Sequence, residues 1–487
     1  MGSSETPAPG VTEQLSQWIH QTTLEHVPDS IQERAKHLIL DGIACGLVGA
    51  RVPWSEEAFN ALNQFEPRGE HAIIGYEERF GPVTAALLNG TFIQACELDD
   101  YHGVAPLHTN SVVLPALFAA AQACKSQPKD PQIINGANLI LAHIIGCETG
   151  PRAGLALNGG EMLSKGWHSG PVFGAPAAAA ASAKLCGLSA VQIEDAIGIA
   201  CTQACGLMAA QYEGMVKRMQ HAFAARNGLL GTLLAKGGYQ GIRKVFERPY
   251  GGYLAMFSLG SKHDPPYNPL EIVKDLGSFW HTEIIRIKLH SCVGGCHGMI
   301  ECLARMQEAH RARFASQDLF KIKDVHVRLS EPIFHHDGWA PEVRPLTATG
   351  GQMCAAYIAA VQLVDRQVLL EQFASSQLDR DEVWDVVHKV RCSHSAEFDK
   401  PHMACGARIT VAFDDGTSIE DFIMQPKGYN PPVSNEEIRA KYRRLTNNII
   451  NSERQQKIEA MVMDLENLRD VTDLTNLLSG AVANPLA

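Results

Sequence analysis

The first half of the chain places apolar residues at helical spacing in one segment after another. Asp29 and Ser30 are suited to cap the first of these helices, whose repeating apolar positions are Ile31, Ala35, Leu38 and Ile39. The pattern recurs in later segments rich in Ala and Gly, such as VVLPALFAAAQAC, IINGANLILAHIIGC and PVFGAPAAAAASAKLCGL. Small side chains let helices cross closely. Residues 1–279 are therefore predicted to form a tightly packed helical domain.

The pattern changes after about residue 280. Asp324–Ser330 alternates between polar and apolar residues, as strands do, and Arg408–Phe413 begins a predicted hairpin that turns at Asp415-Gly416. Between these strands, Gly350–Val364 has the spacing of a helix. Residues 280–425 are therefore predicted to form a smaller α+β domain.

The last part of the chain returns to helical spacing. Ser434 is a natural N-cap and is followed by an acidic first turn, so residues 426–487 are predicted to be helical. The predicted fold is therefore mainly α. It has a large all-helical domain built from the N- and C-terminal segments, with the α+β domain inserted between them.

Composition excludes several classes of partner. Formal net charge is −11 and there is no dense basic stripe, which argues against nucleic acid, although a locally cationic site can still bind an anion. The 13 cysteines lie scattered through apolar stretches, which indicates a reducing compartment. No apolar run is long enough to span a bilayer, and the N-terminus lacks a signal core. We expect a cytoplasmic protein without membrane partners. Gly2 fits a loose myristoylation pattern, but a short flexible tail is favoured.

Two segments combine reactive groups with an adjoining helix. The segment from Glu97 to His108 holds three carboxylates and two histidines, and such a loop can supply general acids and bases. The alternative is a solvated helix end. In the second segment, His168 precedes a helix whose N-terminus would favour an anion. A histidine that only packs is the alternative there.

Two further segments are basic. Lys217 and His221 lie four residues apart and would share a helix face suited to carboxylates, unless that face is simply solvated. Arg286, Lys288 and His290 alternate at strand spacing and would share one side of a strand.

Known cofactor motifs are missing from the sequence. His297 follows Cys292 and Cys296, but the paired CxxC motifs of a structural zinc site are absent, so no metal is predicted. The sequence also lacks GxGxxG, P-loop, GxSxG and HExxH motifs. The remaining histidines, lysines and carboxylates suit proton-transfer chemistry on an acid.

Several long blocks together resemble the fungal cis-aconitate decarboxylases, within the wider family that includes 2-methylcitrate dehydratase. The blocks include DSIQERAKHLILDGIACGLVGARVPWSEEA, KGWHSGPVFGAPA, GMVKRMQHAFAARNGLL, GSFWHTEIIRIKLHSC and KGYNPP. The resemblance runs from about Val11 to the C-terminus. It implies that the α+β domain is a lid, that the site lies in the cleft between domains, that the protein is a homodimer, and that it needs neither metal nor organic cofactor.

The resemblance also assigns site residues. It implies four catalytic residues, His108, His168, Lys217 and His297. The family's acidic segment matches Glu97, Asp99, Asp100 and His102, which we expect to bind substrate together with His221, Lys288 and His290. Three segments depart from the family's pattern where substrate should lie, namely GVAPL, SCVGGCHG and IFHHDGW.

The leading hypothesis is therefore decarboxylation of cis-aconitate, a small polycarboxylic acid, to itaconate. His108 would protonate the far carbon as carbon dioxide departs, while Lys217 and His168 would hold the remaining carboxylates. One alternative is dehydration of 2-methylcitrate or a longer alkylcitrate, for which apolar Gly103-Val104 would suit an alkyl tail. Another is a non-catalytic relative that only binds a metabolite.

Overall fold

The computed structural model describes residues 8–127, 131–400 and 403–487, so the myristoylation prediction at Gly2 lies outside the described residues. The described chain contains nineteen α-helices: α1 Val11–Gln21, α2 Asp29–Gly49, α3 Pro53–Phe65, α4 Pro82–Gln94, α5 Thr109–Lys125, α6 Gly136–Ala156, α7 Glu161–Ser164, α8 Ser169–Leu185, α9 Ala190–Cys201, α10 Val216–Lys236, α11 Tyr253–Phe257, α12 His297–Ala309, α13 Glu331–Asp337, α14 Ala348–Met353, α15 Ala355–Asp365, α16 Asp381–Val387, α17 Asn435–Thr446, α18 Ser452–Met463 and α19 Val471–Leu478.

Helices α2, α4, α5, α6, α8 and α10 pack into one apolar core in the N-terminal half. Small residues bring them together, as predicted. At Gly228 on α10, an added methyl group would lie 2.4 Å from the Cβ atom of Ala178 on α8. Because interiors are close-packed, a larger side chain there would force the two helices apart. These same helices carry the site described below.

The described residues form eight strands: β1 His71–Ala72, β2 Arg79–Phe80, β3 Tyr101–His102, β4 Ile285–Arg286, β5 Ile322–Leu329, β6 Val390–His394, β7 Ala407–Phe413 and β8 Ser418–Ile423. The last four form a sheet in the order β6-β5-β7-β8, in which only the β5–β6 pair is parallel. The predicted strand at 324–330 and the predicted hairpin around Asp415-Gly416 are confirmed. Helices α12 and α15 pack with this sheet around a second apolar core.

Three local predictions need correction. The predicted helix Gly350–Val364 is divided into α14 and α15, because Cys354 between them has extended backbone angles. The helical part is also not all-helical, since β1 pairs with β2 and β3 pairs with β4. These strands have two residues each, too few for the alternation by which a strand is recognised in a sequence.

The third correction concerns the strand predicted through Arg286, Lys288 and His290. Strand β4 ends at Arg286 because its partner β3 is only two residues long. Arg286 then lies over the ring of Tyr429, 4.6 Å from its centre, whereas Lys288 contacts Glu97. The three residues therefore do not share one strand face.

The C-terminal helices pack back onto the N-terminal core. Tyr442 on α17 is buried in that core, and the Nζ atom of Lys441 on the same helix lies 2.7 Å from an Oδ atom of Asp41 on α2. The predicted boundaries at 279/280 and 425/426 stay predictions. Within the described ranges, no single helix has the length and apolarity to cross a membrane, although α2 and α3, bent by 80°, pass that test as a pair.

Candidate active site

A cavity of about 620 Å³ lies between two parts of the chain. The helical part includes α4, α5, α8 and α10, and the sheet-bearing part includes β5 to β8 and helices α12 to α15. The helical side contributes Glu97, His102, His108, His168 and Lys217 to its walls, and Lys288 comes from the segment after β4. The opposite wall comes from α13, α14 and the loop before α12. The cleft that the family resemblance implied therefore brings together six of the predicted site residues.

Three helices begin at this cavity. His108 is the residue before α5, His168 is the residue before α8, and Lys217 is the second residue of α10. The N-terminus of a helix carries unpaired N–H groups and partial positive charge. Three such ends around one cavity create an environment that favours an anionic ligand.

Glu97 joins two lysines at the floor of the cavity. Its Oε1 atom accepts a hydrogen bond from Lys217, and its Oε2 atom accepts one from Lys288 at 3.0 Å. The two lysines lower the pKa of Glu97 well below its usual value, even though burial opposes this. Lys288 also lies 4.0 Å from an Oδ atom of Asp99, so the two lysines are shared between two buried carboxylates.

Asp99 lies behind His108. The Nδ1 atom of His108 is 3.2 Å from an Oδ atom of Asp99, and Asp99 itself is fully buried and does not line the cavity. Burial lowers the pKa of His108, whereas the adjacent Asp99 raises it. Asp99 is thus positioned to stabilise a protonated His108, and not to bind substrate as predicted.

Gln220 fixes the tautomer of His168. The amide nitrogen of Gln220 donates to the carbonyl of Leu207 at 3.0 Å, so its oxygen must face His168 and accept from the Nδ1–H group at 2.7 Å. Burial, followed by the charge of Lys217, holds the pKa of His168 well below its usual value. The neutral ring therefore presents an unprotonated Nε2, which accepts hydrogen bonds.

His221 lies between these two histidines. Its ring centre is 4.8 Å from that of His108 and 4.6 Å from that of His168, and the side chain is fully buried. Burial lowers its pKa well below the usual value. It does not line the cavity, so the structure assigns it to support of the two rings, and not to substrate binding as predicted.

Asp100 and His102, two residues of the predicted acidic segment, accept hydrogen bonds from backbone N–H groups. Asp100 accepts hydrogen bonds from the backbone N–H groups of Thr109 and Asn110, at 3.1 and 2.9 Å, and so caps α5 behind His108. Burial and the neighbouring Asp99 raise the pKa of Asp100 to about 8. His102 accepts a hydrogen bond from the N–H group of Ala105 at 3.0 Å, and burial lowers its pKa to about 3. Asp100 does not line the cavity, whereas His102 does.

His290 and His297 are not brought to the cavity. Their ring centres lie 5.0 Å apart, and neither residue belongs to the cavity wall. Burial lowers the pKa of His290 to about 4 and that of His297 well below its usual value. The structure thus gives His297, which the resemblance implied to be catalytic, no contact with the cavity.

Three functional features were missed at the level of sequence. His336 lines the cavity from α13 and pairs with Asp337, which makes a second His–Asp pair opposite His108. Gln220 orients His168, and Lys441 donates to the carbonyl of Leu98 at 2.7 Å, beside Asp99. The dipeptide His336-Asp337 was a usable signal, whereas Gln220 and Lys441 resemble ordinary polar helix residues.

Across residues 8–127, 131–400 and 403–487, no group of three or more His, Cys, Asp or Glu side chains is arranged to hold a metal ion. Asp99 and Asp100 are occupied by His108 and by the start of α5, and Cys292 and Cys296 are buried thiols whose pKa values burial raises. The absence of a cofactor stays a prediction.

Two family models match the chain. The MmgE/PrpD N-terminal domain matches residues 13–264, and the MmgE/PrpD C-terminal domain matches residues 290–467. The second model includes the sheet and also α17 and α18. The gap between the models contains β4, which pairs with β3 at the cavity.

The chain is similar to several curated proteins over nearly its whole length. It is 57% identical to a cis-aconitate decarboxylase-like protein of Aspergillus oryzae, with 98% of this chain and 99% of that protein covered. It is 50% identical to the cis-aconitate decarboxylase of Aspergillus terreus, with 98% and 97% covered. The cis-aconitate decarboxylase of Mus musculus is 25% identical, with 96% and 93% covered.

The charge environment of His108 predicts a pH dependence. If protonated His108 donates a proton during turnover, kcat/KM must fall as pH rises through its pKa, which burial places below the ordinary value. Asp99→Asn removes the group that raises this pKa, so the descending limb should move to lower pH and activity at pH 7 should fall. Steady-state kinetics from pH 5 to 8 would measure both.

Asp324→Asn, in an ion pair on the sheet surface, is the control. An unchanged profile in a folded Asp99→Asn protein would contradict this assignment.

Proposed function

The chain belongs to the MmgE/PrpD family, and from that premise we propose that it is a carboxy-lyase that converts cis-aconitate to itaconate. The observation that carries the proposal is the cavity floor. There, two lysines share one carboxylate next to a histidine backed by an aspartate. This arrangement offers two ammonium groups that can hold a substrate carboxylate and one proton donor, which are the two requirements of the reaction.

The reaction breaks one carbon–carbon bond and forms one carbon–hydrogen bond. The carboxylate on the methylene carbon of cis-aconitate leaves as carbon dioxide, and its bonding electrons spread over the adjacent double bond. The far alkene carbon, which carries another carboxylate, then takes a proton, and the double bond moves to the former methylene carbon. The product is itaconate, and solvent restores the proton to the donor.

His108 is the proposed donor. It faces the cavity, and Asp99 stabilises its protonated form. Lys217 and Lys288 are proposed to hold a carboxylate that remains in the product and to stabilise the charge that develops next to it. We expected His168 to hold a carboxylate, which would require it to donate a hydrogen bond. In the neutral tautomer, however, its free Nε2 atom accepts hydrogen bonds. We propose that it orients a protonated group or a water beside the substrate.

Dehydration of a citrate-like acid is a second candidate, and one observation favours it. Removing water from citrate requires a base for the carbon-bound proton and an acid for the departing hydroxyl group. The cavity has two His–Asp pairs on opposite walls, His108–Asp99 and His336–Asp337. Decarboxylation needs only one proton donor, so the second pair is the feature that dehydration would use.

Further parts of the proposal concern assembly and location. A homodimer is supported by an exposed apolar segment just before Lys217, in which Leu207, Tyr212, Met215 and Val216 are 63%, 45%, 53% and 44% exposed. A lid function of the sheet-bearing part is supported by the cavity wall that it contributes. A cytoplasmic location is supported by the thirteen cysteines, all of which are unpaired.

Product analysis tests the proposed reaction. Purified enzyme is incubated with cis-aconitate, citrate and 2-methylcitrate, with and without EDTA, and products are identified by mass. We expect loss of carbon dioxide from cis-aconitate at the same rate with EDTA. Loss of water from either citrate, without decarboxylation, would replace the proposal with the dehydratase candidate. Inhibition by EDTA that one divalent ion reverses would overturn the cofactor-free expectation.

Two substitutions distinguish the proposed roles. His108→Gln should lower kcat by roughly a hundredfold or more, the usual effect of losing a general acid, with a smaller change in KM. Lys217→Ala should weaken binding and turnover together, since it removes a charge-assisted contact of about 1.5–3 kcal/mol.

His310→Gln and Lys274→Ala, at exposed positions, are the matched controls. Folding of each variant is checked by circular dichroism and gel filtration. Near-normal kcat in folded His108→Gln would remove His108 from the mechanism and transfer the role of donor to His336.

A further inference from the structure

The cavity is larger than the proposed substrate. Cis-aconitate has twelve non-hydrogen atoms. Even at the loose packing of liquid water, about 30 Å³ for each such atom, it would fill no more than roughly 360 Å³. The cavity encloses about 620 Å³, within the range that takes drug-sized ligands. Space for several more carbon atoms therefore remains beside a bound cis-aconitate.

The chemistry of the wall indicates what would fill this space. Away from the charged floor, polar residues such as Ser164, His263 and Asp399 line the cavity together with a group of aliphatic side chains: Val104, Leu163, Val293, Pro332, Ile333 and Met353. The cations at the mouth are already paired, Lys165 with Glu161 and Lys262 with Glu331. An apolar extension of the substrate would cover the aliphatic surface and remove it from water.

The aliphatic wall is also formed in advance. Ile333 packs on the backbone of Gly295, where an added methyl group would lie 2.3 Å from the Cδ1 atom of Ile333. Ile333 and Met353 are buried although they face the cavity. A wall held by such packing does not need to be ordered when a ligand binds, which favours affinity.

We propose that the enzyme acts on homologues of cis-aconitate that carry a straight alkyl chain on the alkene carbon. A carboxylate that remains in the product binds at the lysine floor, and the chain lies along the aliphatic wall. This inference rests on the proposed decarboxylation. The bond changes are those given above for cis-aconitate, and the product is an itaconate with the chain on the saturated carbon that took the proton.

The test compares chain lengths on the wild-type enzyme. Steady-state kinetics with cis-aconitate and its methyl, butyl and octyl homologues should give a kcat/KM at least tenfold higher for the butyl compound than for cis-aconitate. This is a conservative expectation, since each buried methylene contributes roughly fourfold. Turnover of cis-aconitate with no gain for any homologue would overturn the substrate class while the proposed function stands. If no compound loses carbon dioxide, the proposed function itself fails.

A matched pair of variants locates the chain. Val104→Phe fills part of the space next to the aliphatic wall and should lower kcat/KM for the butyl homologue at least tenfold, with little change for cis-aconitate. Val343→Phe, the same change at an exposed valine outside the cavity, should leave both values unchanged. Equal losses for both substrates in folded Val104→Phe would contradict the proposed position of the chain. The wild-type comparison decides the substrate class if Val104→Phe does not fold.

A second inference comes from the opposite ends of the three helices that begin at the cavity. Cys124 lies near the end of α5, Cys186 directly follows α8, and Lys236 ends α10. The sulfur atoms of Cys124 and Cys186 are 3.2 Å apart, and the Nζ atom of Lys236 is 3.8 Å from the sulfur of Cys124. These contacts lower the pKa of Cys124 to about 7, which makes it a thiolate near neutral pH.

We infer that Cys124 and Cys186 are a peroxide-sensitive pair that forms a disulfide between α5 and α8. The Cys124 thiolate attacks one oxygen of hydrogen peroxide, the O–O bond breaks, and hydroxide leaves to become water. The Cys186 sulfur then attacks the resulting sulfenic acid, and the second oxygen leaves as water. The two thiols are oxidised and one peroxide is reduced, with two waters formed.

Peptide mapping without reduction tests this pair. After treatment with hydrogen peroxide, mass spectrometry should find the Cys124 and Cys186 peptides linked, and dithiothreitol should separate them. Cys186→Ser should accumulate a sulfenic acid on Cys124 that dimedone traps, whereas Cys124→Ser should leave Cys186 unmodified. The exposed Cys205 reports that oxidant reached the protein. Oxidised Cys205 without the Cys124–Cys186 link in wild type would overturn the inference.

Discussion

The buried contact of Glu97 with Lys217 and Lys288 is the interaction on which the site depends. It joins the end of α4, the start of α10 and the segment after β4, which are far apart in sequence. Burying three charges is costly, and removing one partner of such a group leaves an uncompensated charge. Glu97 also has a backbone φ of 52°, an uncommon conformation for a residue other than glycine. The fold therefore fixes this carboxylate between the two lysines.

The surrounding architecture supports that group through parallel helices. α5, α8 and α10 all begin at the cavity, and their far ends meet at Cys124, Cys186 and Lys236. Because the small residues of α8 and α10 allow close contact, the three starting residues are held by a rigid bundle. The sheet-bearing part adds a wall from the other side. The helical part thus supplies most of the charged floor of the cavity, and the sheet-bearing part supplies much of its apolar wall.

The sequence was most informative about features that depend on neighbouring residues along the chain. Helical spacing located the bundle, and the hairpin at Asp415-Gly416 followed from turn chemistry. His108, His168 and Lys217 could be named because the blocks that contain them resemble the family's. Which residues face the cavity depends on contacts between distant segments, and no local pattern encodes those contacts. This is why Asp99 was assigned to substrate, and why Gln220 and the His336–Asp337 pair were missed.

The protonation state of the site connects the structure to its chemistry. Burial keeps His108, His168 and His221 largely neutral, and Asp99 adds a second carboxylate beside Lys288. A substrate with three carboxylates brings more negative charge than this floor can neutralise. Nearby negative charge raises the pKa of a histidine. Because Asp99 already favours the protonated form of His108, this is the ring on which an added proton is best stabilised. Binding of the polyanion would thus recruit the proton that the reaction then consumes, so the substrate itself prepares the general acid.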